Sequence, residues 1–321
     1  MAAAGPSFLA VATNPAIDRV ARLAGPASGV VRASEMLETP GGKAIHTACV
    51  AAELGAPSAV ITTAGGRSGE LLVALLEAEP VEVHSVPVAA ATRGTYTLVD
   101  ARGGDLTEIH EPGGDLTASE CDRLVAALEG IAHGPRVIAV CGSVAPGAPV
   151  DFHARLIAAA RAHGAYTIVD SSTPAALEAG LAAGPDLAAP NLTEAVAIVG
   201  EELATDPIAT AEAIRDRGAG AVWLSLGPRG SVFADAEGTL RVTAPAPEQP
   251  VNAVGCGDAL VGGFAAALVA GRAPRAAIAL GAAAATVKLA HLHPGRVDRA
   301  AVEALEPLVS VTAARDEAAV R

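Results

Sequence analysis

The sequence predicts an α/β protein: a doubly wound, mostly parallel β-sheet with helices on both faces. Three observations carry that reading. From residue 137 onward, short apolar runs alternate with longer helix-like runs, the pattern of successive β-α units. Apolar residues make up 51% of the 321 and aromatic residues only 2%, so a sizeable core can be buried and must be built from Ala, Val, Leu and Ile. Glycine-rich turns follow strands and open helices, at the strand ends where open α/β sheets bind ligands. The length suffices for one large α/β domain or two ordinary ones, and no repeat, low-complexity tract or linker divides it.

The elements follow in order. Residues 7–13 form a short apolar strand that runs into Asn14-Pro15-Ala16-Ile17-Asp18. Residues 30–37 alternate weakly and read as a strand. Pro40-Gly41-Gly42-Lys43-Ala44-Ile45-His46 then leads into a helix reaching Gly55. A strand at 59–63, a glycine-rich loop at 65–69, a helix at 70–77 and a strand at 81–86 come next. Residues 92–99 and 106–110 pair as strands around a turn at 101–105; a hairpin outside the αβ repeat is a candidate lid. A helix at 119–131 precedes a strand at 137–141, which ends in Gly142-Ser143-Val144-Ala145-Pro146-Gly147. A helix at 152–163 and a strand at 166–170 lead to Pro190-Asn191-Leu192-Thr193-Glu194 at another helix start. A strand at 221–226 runs into Ser225-Leu226-Gly227-Pro228-Arg229-Gly230. Residues 259–271 are apolar and Ala-rich, hence helical, ending near Gly271. The tail from 273 to 308 is helical, broken at His293-Pro294-Gly295.

The turn around which the chain is organised is Val251-Asn252-Ala253-Val254-Gly255-Cys256-Gly257-Asp258. Its glycines let the backbone approach a ligand and aim successive N–H groups at one point. The helix start adds unpaired donors and the positive end of the dipole, which makes an anion cradle. A carboxylate beside a bound anion needs a task. The task that fits Asp258 is accepting a proton from an alcohol, while the N–H groups of Gly255, Cys256 and Gly257 stabilise charge on a transferring phosphoryl group. The plainer alternative is a turn with Asp258 as N-cap. Gly41-Gly42 before a helix offers a second set of donors, although G-x-x-x-x-G-K-[ST] occurs nowhere. Asn191 and Glu194, three apart at a helix start, can face one way; a capping box is the alternative. The planar guanidinium of Arg93 suits a bidentate phosphate contact, while Asp18, Arg93 and Ser143 can equally be read as solvated or turn residues.

The net charge of −13 argues against nonspecific nucleic-acid binding and a polybasic membrane surface. The four cysteines show neither C-x-x-C nor metal-ligand spacing with His, and read as free thiols in a reducing cytosol. Residues 8–12 are too short a run for a signal sequence, and 276–290 too short to span a bilayer. A soluble cytoplasmic protein is expected.

In this order, the motifs resemble those of the ribokinase-like (PfkB) carbohydrate kinase family over about residues 8–297. The Pro40-Gly41-Gly42-Lys43 stretch is most similar to the branch of 1-phosphofructokinase and tagatose-6-phosphate kinase, and the Asn14–Asp18 motif to the phosphofructokinases, the minor 6-phosphofructokinase included. The resemblance implies a ribokinase-like fold with 1–321 as a single kinase domain, and a small β lid from insertions at about 13–39 and 89–111. It implies ATP-dependent transfer of a phosphoryl group to a hydroxyl of a sugar phosphate of the fructose 1-phosphate, fructose 6-phosphate or tagatose 6-phosphate type. Asp258 is then the base and the Gly255–Gly257 turn the anion hole. Asp18, Gly41, Gly42 and His46 hold the sugar, and Lys43, Arg93 and Ser143 its phosphate. Ser225, Gly227 and Gly230 serve the nucleotide, and Asn191 with Glu194 orders Mg2+ through water. Five positions depart from the family pattern: Ala44 stands for a usual Gly, His46 and Thr95 each for Asn, Ala189 for Lys, and Cys256 for Ala. Two alternatives therefore stay open. One is a kinase of an unphosphorylated sugar or nucleoside on the same fold. The other is a sugar-phosphate-binding protein without turnover, against which the intact Asp258 speaks. An open lid sheet exposes an edge that a second lid would cover, so a homodimer is expected.

Overall fold

The computed structural model describes residues 5–102, 106–131 and 134–314. Fourteen strands and ten α-helices are defined among them. In chain order they run β1 (Phe8–Ala12), β2 (Ala16–Leu23), β3 (Ala33–Gly41), α1 (Lys43–Glu53), β4 (Ser58–Ala64), α2 (Gly66–Glu77), β5 (Glu82–Pro87), β6 (Arg93–Asp100) and β7 (Leu106–His110). The repeat continues with α3 (Ala118–Ile131), β8 (Val137–Cys141), α4 (Phe152–Ala162), β9 (Tyr166–Asp170), α5 (Pro174–Ala182), β10 (Leu187–Ala188), α6 (Leu192–Val199), α7 (Pro207–Arg215) and β11 (Ala221–Ser225). Last come β12 (Ser231–Asp235), β13 (Gly238–Thr243), α8 (Cys256–Val269), α9 (Pro274–Lys288), α10 (Arg299–Leu305) and β14 (Ser310–Ala313).

The main sheet has the order β14-β13-β12-β11-β10-β9-β8-β1-β4-β5, parallel from β5 across to β11. Alternation along β1 shows why helices must cover both faces: Phe8, Ala10 and Ala12 enter one core and Leu9 and Val11 the other. The first core is closed by α1, α8 and α9, around Trp223, Phe233 and Phe264. The second is closed by Leu124, Leu156 and Leu177 of α3, α4 and α5. α8 lies deep because glycine allows it: a Cβ on Gly263 would stand 2.8 Å from the Ala284 Cβ of α9. A second sheet, β3-β2-β6-β7, carries Asp18 and its neighbours over the carboxyl ends of the main-sheet strands.

Several boundaries differ from expectation for identifiable reasons. Strand β2 was not anticipated, because Asp18, Arg19 and Arg22 interrupt its apolar pattern. The expected strand at 30–37 lies at Ala33–Gly41, pulled later by its pairing with β2. The glycine-rich loop expected at 65–69 is already helix from Gly66, since Gly69 packs onto Ala64 where a side chain would not fit. The helix expected from 259 begins at Cys256, so Asp258 sits inside its first turn. Past β11 the sheet turns antiparallel through β12, β13 and β14, and β14 follows a tail expected to be helical only to 308. The lid hairpin pairs as expected, with part of its turn outside the described residues. Among the described residues no helix is long and apolar enough to cross a membrane.

Candidate active site

The ends of successive parallel strands converge on one cleft of about 680 Å³. Asn14 follows β1, Ser143 follows β8, Asp170 ends β9, Asn191 follows β10 and Ser225 ends β11. The second sheet closes the cleft from the other side with Asp18, Thr95, Thr97, Glu108 and His110. Of the residues singled out in the sequence, Asp18, Gly42, Lys43, His46, Arg93, Ser143, Asn191, Glu194, Ser225, Gly255, Gly257 and Asp258 all line it. Gly41, Cys256, Gly227 and Gly230 do not, and act on the backbone instead.

Gly41 shows how. A Cβ there would stand 2.1 Å from Asp18 Oδ1, so glycine lets the carboxylate lie against the main chain. Thr95 Oγ1 donates to the same oxygen. Gly42 takes φ 110° as the cap of α1, and that helix start presents Lys43 and His46 one turn apart.

His46 is buried, 4% exposed, and both of its nitrogens meet carboxylates. Nδ1 lies 2.8 Å from Asp258 Oδ2, and Nε2 lies 2.9 Å from Asp18 Oδ2. The second approach is off the N–H axis, so it is an ionic contact rather than a well-directed hydrogen bond. Burial alone would pull this imidazole down, but Asp18 and Asp258 outweigh it and push its pKa up to about 10. Asp18 is held below the usual carboxylate range: burial opposes this, while His46, Thr95 and Arg93 overcome it. Both ring nitrogens face carboxylates, and His46 lines the cleft between Asp18 and Asp258.

Lys43 is also turned from its expected direction. Its Nζ lies 2.7 Å from Asp170 Oδ1 and 2.9 Å from Glu194 Oε1, on the side of the cleft formed by the ends of β9 and α6. Burial would lower its pKa, but Asp170, Glu194 and Asp258 hold it well above the usual lysine value. Asp170 was given no role from the sequence, yet it is a charge ending an otherwise uncharged buried strand, a legible signal. Burial pushes its pKa up, with Lys43 opposing.

At the anion turn, Gly255 is left-handed at φ 86°, and a Cβ there would strike Pro294 O at 2.2 Å. The Cys256 N–H is spent on Ala253 O at 3.2 Å, which removes it from the expected cradle. Gly257 and Asp258 carry the open donors of the first helical turn, and a Cβ on Gly257 would meet no protein atom within 4 Å. Burial pushes the Cys256 thiol up to about 11, so it stays protonated and is no nucleophile.

Asn191 and Glu194 do form a capping box, while both line the cleft and Glu194 keeps Oε1 for Lys43. Arg93 donates from Nη1 to Glu111 O at 3.1 Å and from Nε to Asn14 O at 3.3 Å. Burial lowers its pKa, with Asp18 and Glu111 opposing. Ser143 Oγ accepts from Asn14 Nδ2 at 3.0 Å. Gly227 and Gly230, at φ 60° and 82°, form the tight turn after β11 that sets the position of Ser225.

The model of the family described as pfkB family carbohydrate kinase matches residues 10–296. The chain is 31% identical over 299 residues to the ATP-dependent 6-phosphofructokinase isozyme 2 of Mycobacterium tuberculosis, covering 90% of this chain and 85% of that protein. It is 33% identical over 267 residues to the 1-phosphofructokinase of Xanthomonas campestris pv. campestris, covering 81% and 84%. Phosphofructokinase-2 from Escherichia coli, solved in complex with substrates and products, superimposes with a TM-score of 0.82 at 29% identity, covering 94% of this chain and 98% of that one.

Proposed function

We propose that this chain, which belongs to the pfkB family of carbohydrate kinases, transfers the γ-phosphoryl group of ATP to a hydroxyl of a fructose-phosphate-type sugar. One observation carries the proposal. Asp258 stands in the first turn of a helix with open N–H donors and shares a single cleft with Asp18 and Arg93. That is a base, an anion site, a hydroxyl acceptor and a phosphate-binding cation within reach of one small molecule.

Asp258 accepts the proton of the attacking alcohol. Its Oδ2 is held by His46, which leaves Oδ1 for the hydroxyl. The N–H groups of Gly257 and Asp258, at the positive end of α8, stabilise charge on the transferring group. Asp18 accepts hydrogen bonds from sugar hydroxyls, and Arg93 binds the substrate's own phosphate. Lys43, fixed between Asp170 and Glu194, faces the nucleotide phosphates. The second sheet acts as a lid that excludes water, a competing acceptor.

No group of three or more metal-ligating side chains occurs among the described residues. Mg2+ keeps waters and phosphate oxygens and needs only one or two carboxylates from the protein. Glu194, with Asn191 beside it and Asp170 opposite, fits that need. When bound, Mg2+ neutralises phosphate charge.

An ADP-release assay over phosphorylated and free sugars tests the proposal. Turnover is expected with fructose 6-phosphate, fructose 1-phosphate or tagatose 6-phosphate, and silence with all three would reject it. Arg93→Ala should raise KM for the sugar phosphate by about 10-fold, the loss of one or two charge-assisted bonds. An unchanged KM, with a free sugar as the best acceptor, would move the reading to an unphosphorylated substrate.

The lid also supports a homodimer. Met36 is 64% and Ile109 54% exposed, and pairing through Ala21 and through Tyr96 and Arg19 puts both on the face turned away from Asp18. The double substitution Met36→Lys, Ile109→Lys should yield a monomer by sedimentation; an unaltered oligomer would place the interface elsewhere. All four cysteines are free thiols, three of them buried, as befits a reducing cytoplasm.

A further inference from the structure

We propose that Lys288 is a built-in cation that shapes and charges the anion-binding turn, a positioning residue acting through the main chain of Asn252. The inference rests on the reading of residues 255–258 as the place of the transferring phosphoryl group. Lys288 ends α9 and is wholly buried, at 0% exposure. Its Nζ donates to Asn252 O at 2.7 Å and to His291 O at 3.2 Å. Among the described residues it forms no ion pair with a carboxylate, although buried charges are ordinarily paired.

The two carbonyls belong to segments laced together under the anion turn. Val251 and Asn252 both donate N–H groups to Leu289 O. The Asn252 side chain accepts from Val254 N at 2.9 Å and donates to Leu292 O at 2.8 Å. Gly255 lies against Pro294 O so closely that no side chain fits. The ammonium sits where these segments of chain converge, on the carbonyl of the residue three before Gly255, and gives both carbonyls a donor.

A neutral donor could satisfy those carbonyls, so the charge itself calls for a reason. Burial pulls Lys288 down to about 8, partly offset by Cys256 and Asp258, so most of it is charged at neutral pH. Its other charged neighbourhood is weak: His293 is pulled down to about 4 by burial, with His46, Arg296 and Lys288 adding to the effect, and is neutral. The ammonium is thus a positive charge behind the turn without a full counter-ion. An anion arriving on the far side of the turn completes it, and transition-state charge is where a fixed buried charge acts most strongly.

The test compares wild type with Lys288→Met, which keeps length without charge, and Lys288→Ala, which opens a carbonyl-lined space. Both kcat and KM are measured, and thermal unfolding is followed, in lithium, potassium, ammonium and tetramethylammonium chloride at constant ionic strength. Lys288→Met is expected to lower kcat by about 10–10²-fold, up to the loss caused by removing one oxyanion donor, with KM for the sugar phosphate little changed. Lys288→Ala should regain kcat in ammonium or potassium, which fit between two carbonyls, and not in tetramethylammonium. Near-wild-type kcat in Lys288→Met overturns the proposal, as does a loss in Lys288→Ala that no cation restores. Failure of both variants to fold in every salt also overturns it, by making Lys288 purely structural. A wild type without kinase activity would sink the underlying reading too, whereas an active wild type beside an unimpaired Lys288→Met removes Lys288 alone.

Discussion

Asp258→Asn should lower kcat by roughly 10²–10⁴-fold, the range spanned by general-base contributions, while ATP binding measured directly changes little. The amide keeps the size of the carboxylate and can still bond His46, but it has no basic oxygen for the alcohol's proton. The N–H groups of the α8 start are untouched, so the anion site survives and the loss falls on the chemical step. KM for the sugar phosphate should stay near wild type, because Asp18 and Arg93 do the holding. The buried imidazole loses one of its two counter-charges in this variant. Unfolding must therefore be followed alongside, so that lost protein is not counted as lost catalysis. Near-normal turnover in a folded Asp258→Asn protein would take Asp258 out of the base role.

What was legible in the sequence follows from how local each signal is. The parallel repeat shows because each strand is a short apolar run bounded by turn residues, and the glycine turns show because glycine alone accepts those backbone angles. Gly42 and Gly255 are two such cases. The second sheet was half legible. Its hairpin β6–β7 is contiguous in sequence, while β2 hides because its polar face turns toward the cleft, with Asp18 in register with Thr39 and Thr95. Side-chain direction was the least legible feature. Lys43 and His46 stand in one motif with Gly41 and Gly42, yet Lys43 turns to carboxylates 127 and 151 residues away. His46 likewise turns to an aspartate 212 residues away. Lys288 carried one signal, a cation at the end of an Ala-rich apolar helix, and its meaning depended on a carbonyl brought by a loop 36 residues earlier.

His46 is the departure with the largest consequence for stability. His46→Leu should destabilise the protein by roughly 3–5 kcal/mol, the cost of breaking a buried ion pair by removing one partner. Asp18 and Asp258 would then be buried with no cation between them, which favours protonation of one. His46→Asn is the sharper test, because its NH2 keeps a neutral donor beside the carboxylates while the charge is removed. In wild type the imidazole is pushed up to about 10 from an ordinary 6.5. A raised folded-state pKa means that the native state binds the proton more tightly than the unfolded chain. The stabilisation is therefore complete below about 6.5, declines as pH rises, and is gone once pH passes about 10. The advantage of wild type over His46→Asn in denaturant unfolding should shrink over that window, and only over that window on the alkaline side. Asp18, held below its usual range, adds a separate loss at acid pH that both proteins share in part. Catalysis supplies a second readout. A pocket imidazole of ordinary pKa would make wild-type KM vary near pH 6.5, whereas a permanently charged one predicts no such step there. A constant stability difference between wild type and His46→Asn from pH 6 to pH 10, or a step in wild-type KM near 6.5 that His46→Asn abolishes, would refute the charged bridge between Asp18 and Asp258.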